Sequence, residues 1–146
     1  MGEPWGLTPR QSILAECARR GKPALVAGCI ALLEGDNEVD DALLIALGGP
    51  PAGYVLDGNE GGKNGYWPRV WAARGLLHAW QNEATAAIIT ATTDDSWRVR
   101  EMAAKVIAQH EVGDALDAVA ALRDDPIPRV RAAAERAVTK LTATSA

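Results

Sequence analysis

Residues 94–105, DDSWRVREMAAK, return about thirty positions later as DDPIPRVRAAAER, residues 124–136, and a weaker echo, YWPRVWAARG, begins at Tyr66. Aligning Arg69, Arg98 and Arg129 gives spacings of 29 and 31 residues, and the next column holds Val70, Val99 and Val130. A period in this range is the mark of a stacked array of small structural units. In the second copy the apolar positions are Val99, Met102, Ala103, Val106 and Ile107; in the third they are Val130, Ala133, Ala134, Ala137 and Val138. Both follow the i, i+3, i+4, i+7, i+8 pattern of a helix with one buried stripe.

Each of these helices is preceded by a shorter helical stretch, ATAAIITATTDD from Ala84 and ALDAVAALRDD from Ala115. Asp94-Asp95 and Asp124-Asp125 close them, and Ser96, Pro126 and Pro128 are helix-start signals. The unit is therefore helix, acidic turn, helix. One such pair cannot cover its own apolar faces, so neighbouring pairs must stack.

The N-terminal half reads as helical by other cues. Thr8-Pro9 is an N-cap followed by a first-turn proline for RQSILAECARR, which Gly21 stops. Pro23 opens ALVAGCIALLE up to Gly35, EVDDALLIALGG follows, and PPAGYVLDG is a further short helix. NEGGKNG, residues 59–65, reads as a flexible connection. No segment alternates with period two. The expectation is an all-α fold of about seven to nine helices, an α-solenoid in which helix pairs form a right-handed superhelix. It would be a single domain over 1–146, with divergent helices at 8–57, a Gly-rich connection at 58–66 and clear repeats at 67–141.

The repeated segments resemble HEAT repeats of the short type, about thirty residues long, which also occur in phycobilisome-lyase-like proteins. The likeness covers 67–141 closely and 8–57 loosely. It implies that the turn Asp caps the next helix and that the Arg after the Val braces adjacent repeats, here Asp95 with Arg100 and Asp125 with Arg131. The first copy departs from the pattern, with Trp71 in the Arg column. The family resemblance further implies a scaffold for binding proteins.

Composition limits the alternatives. The 146 residues carry a net charge of −4, with 5 Lys/Arg against 9 Asp/Glu in 1–66 and 10 against 10 in 67–146. No chain-wide basic field is present to hold nucleic acid. Cys17 and Cys29, with eleven residues between them, form no CxxC pair and read as reduced, buried thiols of a cytoplasmic protein. The opening MGEPWGLTPR has no apolar leader core and no myristoylation pattern, since Gly6 stands where Ser or Thr is needed. No run of eighteen apolar residues spans a membrane. Eleven Arg against 4 Lys, with abundant Ala, point to a GC-rich bacterial source.

Motifs that suggest chemistry fail on spacing. DGNEGGKNG has Asp57 and Asn64 where a phosphate loop needs Gly and Ser or Thr. GDNEVDDAL puts Asp41 and Leu47 where a calcium loop needs Gly and Glu. His110-Glu111 is one His-Glu dipeptide at a helix end, whereas the HEAT-like di-iron hydroxylases use four; helix C-terminal placement accounts for His110. No GxSxG turn exists, and neither His78 nor His110 has an evident nucleophilic partner. No catalytic residue, metal or cofactor is expected.

What remains is a stripe. Trp67, Trp71, Arg74 and His78 follow i, i+4, i+7, i+11 on one side of a helix whose separate buried side is Val70, Ala73, Leu77 and Trp80. The columns of Arg74 and His78 hold Ala and Ile or Val in the other copies. Trp and Arg clusters concentrate binding energy, so the stripe is a candidate surface for a protein or peptide partner. The alternative is that the tryptophans fill space under the 49–66 connection and Arg74 pairs with an acid of the N-terminal half. Trp97 reads as packing between repeats. Two further functions follow from resemblance alone: duplex-DNA binding as in HEAT-like alkylpurine DNA glycosylases, and an accessory lyase.

Overall fold

A computed structural model of the chain describes residues 7–36 and 38–143. The leader reading at 1–6 and Asn37 of the acidic run lie outside them. Among the described residues there are nine α-helices and no strand. They are α1 (Pro9–Arg20), α2 (Lys22–Leu33), α3 (Asp41–Gly48), α4 (Pro51–Leu56), α5 (Trp67–His78), α6 (Thr85–Ala91), α7 (Trp97–His110), α8 (Leu116–Ala121) and α9 (Pro128–Ala143). None is long and apolar enough to cross a membrane. The chain divides into two compact units, Met1–Gln81 and Asn82–Ala146. The boundary falls inside the 67–141 stretch, so α5, the first repeat copy, belongs with the N-terminal helices.

In the first unit, α1 begins where Thr8 accepts from the Gln11 N–H at 3.1 Å while the Thr8 N–H donates to the Gln11 side chain at 2.9 Å. This reciprocal cap and Pro9 satisfy the open amides of the first turn. Asp40 caps α3 by accepting from the Leu43 N–H at 2.8 Å. Its carboxylate also takes two hydrogen bonds from Arg20, which reaches Glu16 in turn. The Arg20 guanidinium holds the Asp40 carboxyl down at about 2. Glu16 is buried, which on its own would raise its carboxyl, yet hydrogen bonds from Arg19 and Arg20 hold it below its ordinary value.

Close approach of the helices depends on small residues. A Cβ at Gly75 of α5 would lie 2.7 Å from both Cys29 Sγ on α2 and Leu47 Cδ2 on α3. Its absence lets these three helices share, with α1, a core of Ile13, Leu25, Val26, Leu43, Leu44 and Leu76, each at most 1% exposed. Cys29 sits inside that core and burial pushes its thiol up to about 12. Cys17 differs from its expected burial: it is only half-buried, at a free position.

The connection at 59–65 is wound rather than extended. It forms tight 3₁₀ turns over Asn59–Asn64, with positive φ at Gly58 (98°), Glu60 (56°) and Gly61 (85°). Glycine accommodates these left-handed values without a Cβ penalty, and Glu60 is the non-glycine residue that must accept one.

The second unit holds the two clear copies. In it α6 packs on α7, α7 packs closely on α9, and α8 packs on α9. Val99, Ala103, Val106, Ile107, Val130, Ala133, Ala134 and Ala137 are each at most 1% exposed, in agreement with the periodic pattern. Met102 and Val138 at the stripe edges are half-buried.

Candidate functional site

Both turn-Asp positions of the second unit are built alike, and in the second copy the Asp lies one residue before the one implied by the resemblance. Asp94 accepts from the Ser96 N–H at 2.8 Å and Asp125 from the Ile127 N–H at 2.9 Å. Arg100 donates to the Asp94 carbonyl at 2.8 Å, and Arg131 to the Asp125 carbonyl at 2.7 Å. The equivalent pair is therefore Asp94 and Asp125. Asp95 offers only its backbone carbonyl to Arg100, at 3.1 Å. In both copies two residues separate this Asp from the helix, Asp95-Ser96 before Trp97 and Pro126-Ile127 before Pro128, so the cap is the first Asp of one pair and the second of the other.

Between the copies, Arg100 forms a two-point ion pair with Asp125, with Nε–Oδ2 at 2.7 Å and Nη2–Oδ1 at 3.2 Å. The side chain of Asp125 is 4% exposed. Burial on its own would raise its carboxyl, but the Arg100 and Ile127 N–H bonds hold it below its ordinary value. A second brace joins Arg129 to the buried Glu101 at 3.0 and 3.1 Å. Trp97 lies beneath two guanidinium groups, with Arg98 at 4.6 Å and Arg129 at 5.1 Å from its ring centre.

The stripe on α5 is divided by the fold. Trp71 is 4% exposed and belongs to the core, because Gly48 at the end of α3 leaves room for its ring: a Cβ there would lie 2.6 Å from Trp71 Cε3. Trp67 is half-buried and stacks on Trp71 with ring centres 6.1 Å apart. Its indole N–H donates to Glu60 at 3.3 Å. Arg74, also half-buried, donates to the Leu47 carbonyl at 2.8 Å. Leu47 stands in the last turn of α3, where carbonyls lack helical partners and favour a cation. Arg74 thus meets a backbone carbonyl of the N-terminal half, where an acid was the expected partner. Its Nε is shielded and has no acceptor, and burial lowers its pKa. His78, half-buried at the C-terminal end of α5, stands apart from the other three.

Trp67, Trp71 and Arg74 meet the end of α3 and the outer side of α4 around a pocket of about 350 Å³. Gly48, Pro51, Val55, Glu60 and Tyr54 complete its walls, and Tyr54 is 58% exposed. Sequence reasoning missed Tyr54, Pro51 and Glu60. Their only signals were the short-helix pattern of PPAGYVLDG and a Gly-rich run, neither of which says what lies across from α5. Among the described residues, no three His, Cys, Asp or Glu side chains gather as a metal site.

A family model for HEAT repeats matches residues 66–139, just over half of the chain. Neither the curated proteins nor the solved structures yield a match. The matched span begins at the first copy and ends in the last helix, over the same paired helices, turn aspartates and valine column seen in space. The chain belongs to the HEAT-repeat family.

Proposed function

We propose that the chain is a non-catalytic HEAT-type adaptor that holds a protein or peptide partner at the aromatic pocket of its first unit. HEAT repeats are generally protein-interaction scaffolds, and their stacked helices offer a rigid surface at little further ordering cost. The observation that carries the assignment to this site is the pocket itself. The exposed Tyr54 and the half-buried Trp67 stand beside a guanidinium over an apolar floor. Tyr, Trp and Arg are the residues in which interface binding energy concentrates, above all around a preformed pocket. Free thiols at Cys17 and Cys29 support a reducing compartment such as the cytoplasm.

The test compares the wild-type chain with a Tyr54→Ala, Trp67→Ala variant in affinity capture from native lysate, read by mass spectrometry. Proteins retained by the wild type are expected to disappear from the variant while its circular dichroism is unchanged. An identical set of captured proteins removes the pocket as the site.

A further inference from the structure

We propose that the occupant of this pocket is the carboxy-terminal residue of a partner chain, an apolar side chain that carries a free carboxylate. The inference rests on the pocket reading above and adds the chemistry of what enters.

Size and lining set the first requirement. A volume of about 350 Å³ is near the lower end of the range for small-ligand pockets, roughly 300–1,000 Å³. It has room for a residue-sized group. Its walls are the stacked Trp67 and Trp71 on one side and Pro51, Tyr54 and Val55 on the other. An apolar, preferably aromatic, group fits such walls by area and ring stacking.

Charge sets the second. Arg20, Arg100 and Arg129 each carry a carboxylate, from Asp40, Asp125 and Glu101 respectively. Arg74 does not: its hydrogen bond goes to a carbonyl, and no Asp or Glu among the described residues pairs with it. A guanidinium drawn partly out of water without a counter-charge is left with unmet donor capacity. An incoming carboxylate supplies the charge and the geometry that guanidinium groups hold best.

Glu60 at the rim favours a chain-end carboxylate over a phosphate. It is exposed and already accepts from Trp67. It repels a dianion such as a phosphate monoester, whereas the last peptide N–H of a chain end can donate to it.

The probe is the N-acetylated tetrapeptide Gly-Ser-Gly-Phe, as the free acid and as the C-terminal amide, titrated into the full chain. The readouts are the NMR signals of the Trp67 indole N–H and the Arg74 Nε–H. The free acid is expected to bind at least tenfold more tightly than the amide, to lose that advantage in Arg74→Gln, and to retain it in Glu60→Gln. Equal binding of acid and amide overturns the carboxylate inference while leaving the pocket reading intact. So does an acid preference that survives Arg74→Gln, or tighter binding of free phenylalanine, whose ammonium would then be meeting Glu60. No perturbation by either peptide also overturns it, and the lysate capture then decides the pocket reading separately. Should Arg74→Gln fail to fold, the comparison of acid with amide on the wild-type chain decides alone.

Discussion

The helix that opens the first copy and the helices that open the other two share a column of valines, yet they are held in place by different forces. In α7 and α9 the residue after the valine is Arg100 or Arg131, and it reaches back to the acidic turn that precedes it. In α5 the same column holds Trp71, which is buried against Gly48. The polar brace is thus replaced by an aromatic one. An arginine brace must be surrounded by acceptors and so uses up the turn beside it. A tryptophan brace needs only room, which leaves the end of α3 and the face of α4 open to form a pocket.

Substitution at the two braces separates these mechanisms. The largest effect is expected from Trp71→Ala, which opens a cavity in the first unit and costs about 3–5 kcal/mol. Urea unfolding followed by circular dichroism measures it; a cost below about 1 kcal/mol would mean that the ring is not the brace. Next comes Arg100→Ala, which leaves the buried Asp125 carboxylate without its counter-charge and is expected to cost about 3 kcal/mol. Replacing Asp125 by Asn in the same background should recover part of that loss, because the stranded charge is then gone. A double-mutant cycle over these two positions gives the coupling directly.

Much of this was legible in the chain, and the reasons differ between the regions. Thr8-Pro9 ahead of an amphipathic run and Gly21 after it locate α1 because capping is local chemistry. The valine and alanine stripes of α7 and α9 locate the core of the second unit because a 3.6-residue period survives in any context that buries one face. The capping Asp of the second copy was placed one residue out, at Asp95, since DDSW and DDPIP differ in length and only the hydrogen bonds reveal that Asp94 matches Asp125. For Trp71 the chain left two readings open, an exposed stripe and a space-filling ring, and did not decide between them. Helical spacing places it beside Trp67, whereas its environment is decided by Gly48, more than twenty positions away. The turns at 59–65 were hidden for a related reason: glycines signal freedom from side-chain sterics, and the same freedom permits a tight turn.

Acid sharpens the comparison further, with a smaller effect. The carboxyls of Glu16 and Asp125 lie below their ordinary values of 4.5 and 3.8, and that of Asp40 falls to about 2. Each therefore binds a proton more weakly in the folded chain than in the unfolded one. The stability they contribute is fully present above about pH 5 and fades as the pH falls through the folded values. The Tm is expected to drop between about pH 5 and pH 2, by about 4–8 °C for each kcal/mol lost in units of this size. Arg100→Gln should flatten the part of this slope due to Asp125, and Arg20→Gln the part due to Asp40 and Glu16. An unchanged slope in both variants would mean that the acid response comes from elsewhere.

The smallest effect on stability is expected where the pocket opens, and it carries the most information. Trp67 lies against Tyr66 and Trp71 and is bonded to an exposed Glu60, so Trp67→Ala removes two aromatic contacts and a solvent-facing hydrogen bond. That amounts to about 1 kcal/mol, against several for its neighbour four residues on. If the tryptophan brace is what frees this face for recognition, the two substitutions must part company. Trp71→Ala removes the brace together with one wall of the pocket, so added stabilising osmolyte should restore only the part of the binding that is lost to unfolding. Trp67→Ala should lower the Tm far less than Trp71→Ala does and still reduce capture of the Phe-ended tetrapeptide by tenfold or more. Parallel losses of stability and binding at both positions would mean that the pocket is only the outer layer of the core, and that the aromatic substitution in the first copy serves packing alone.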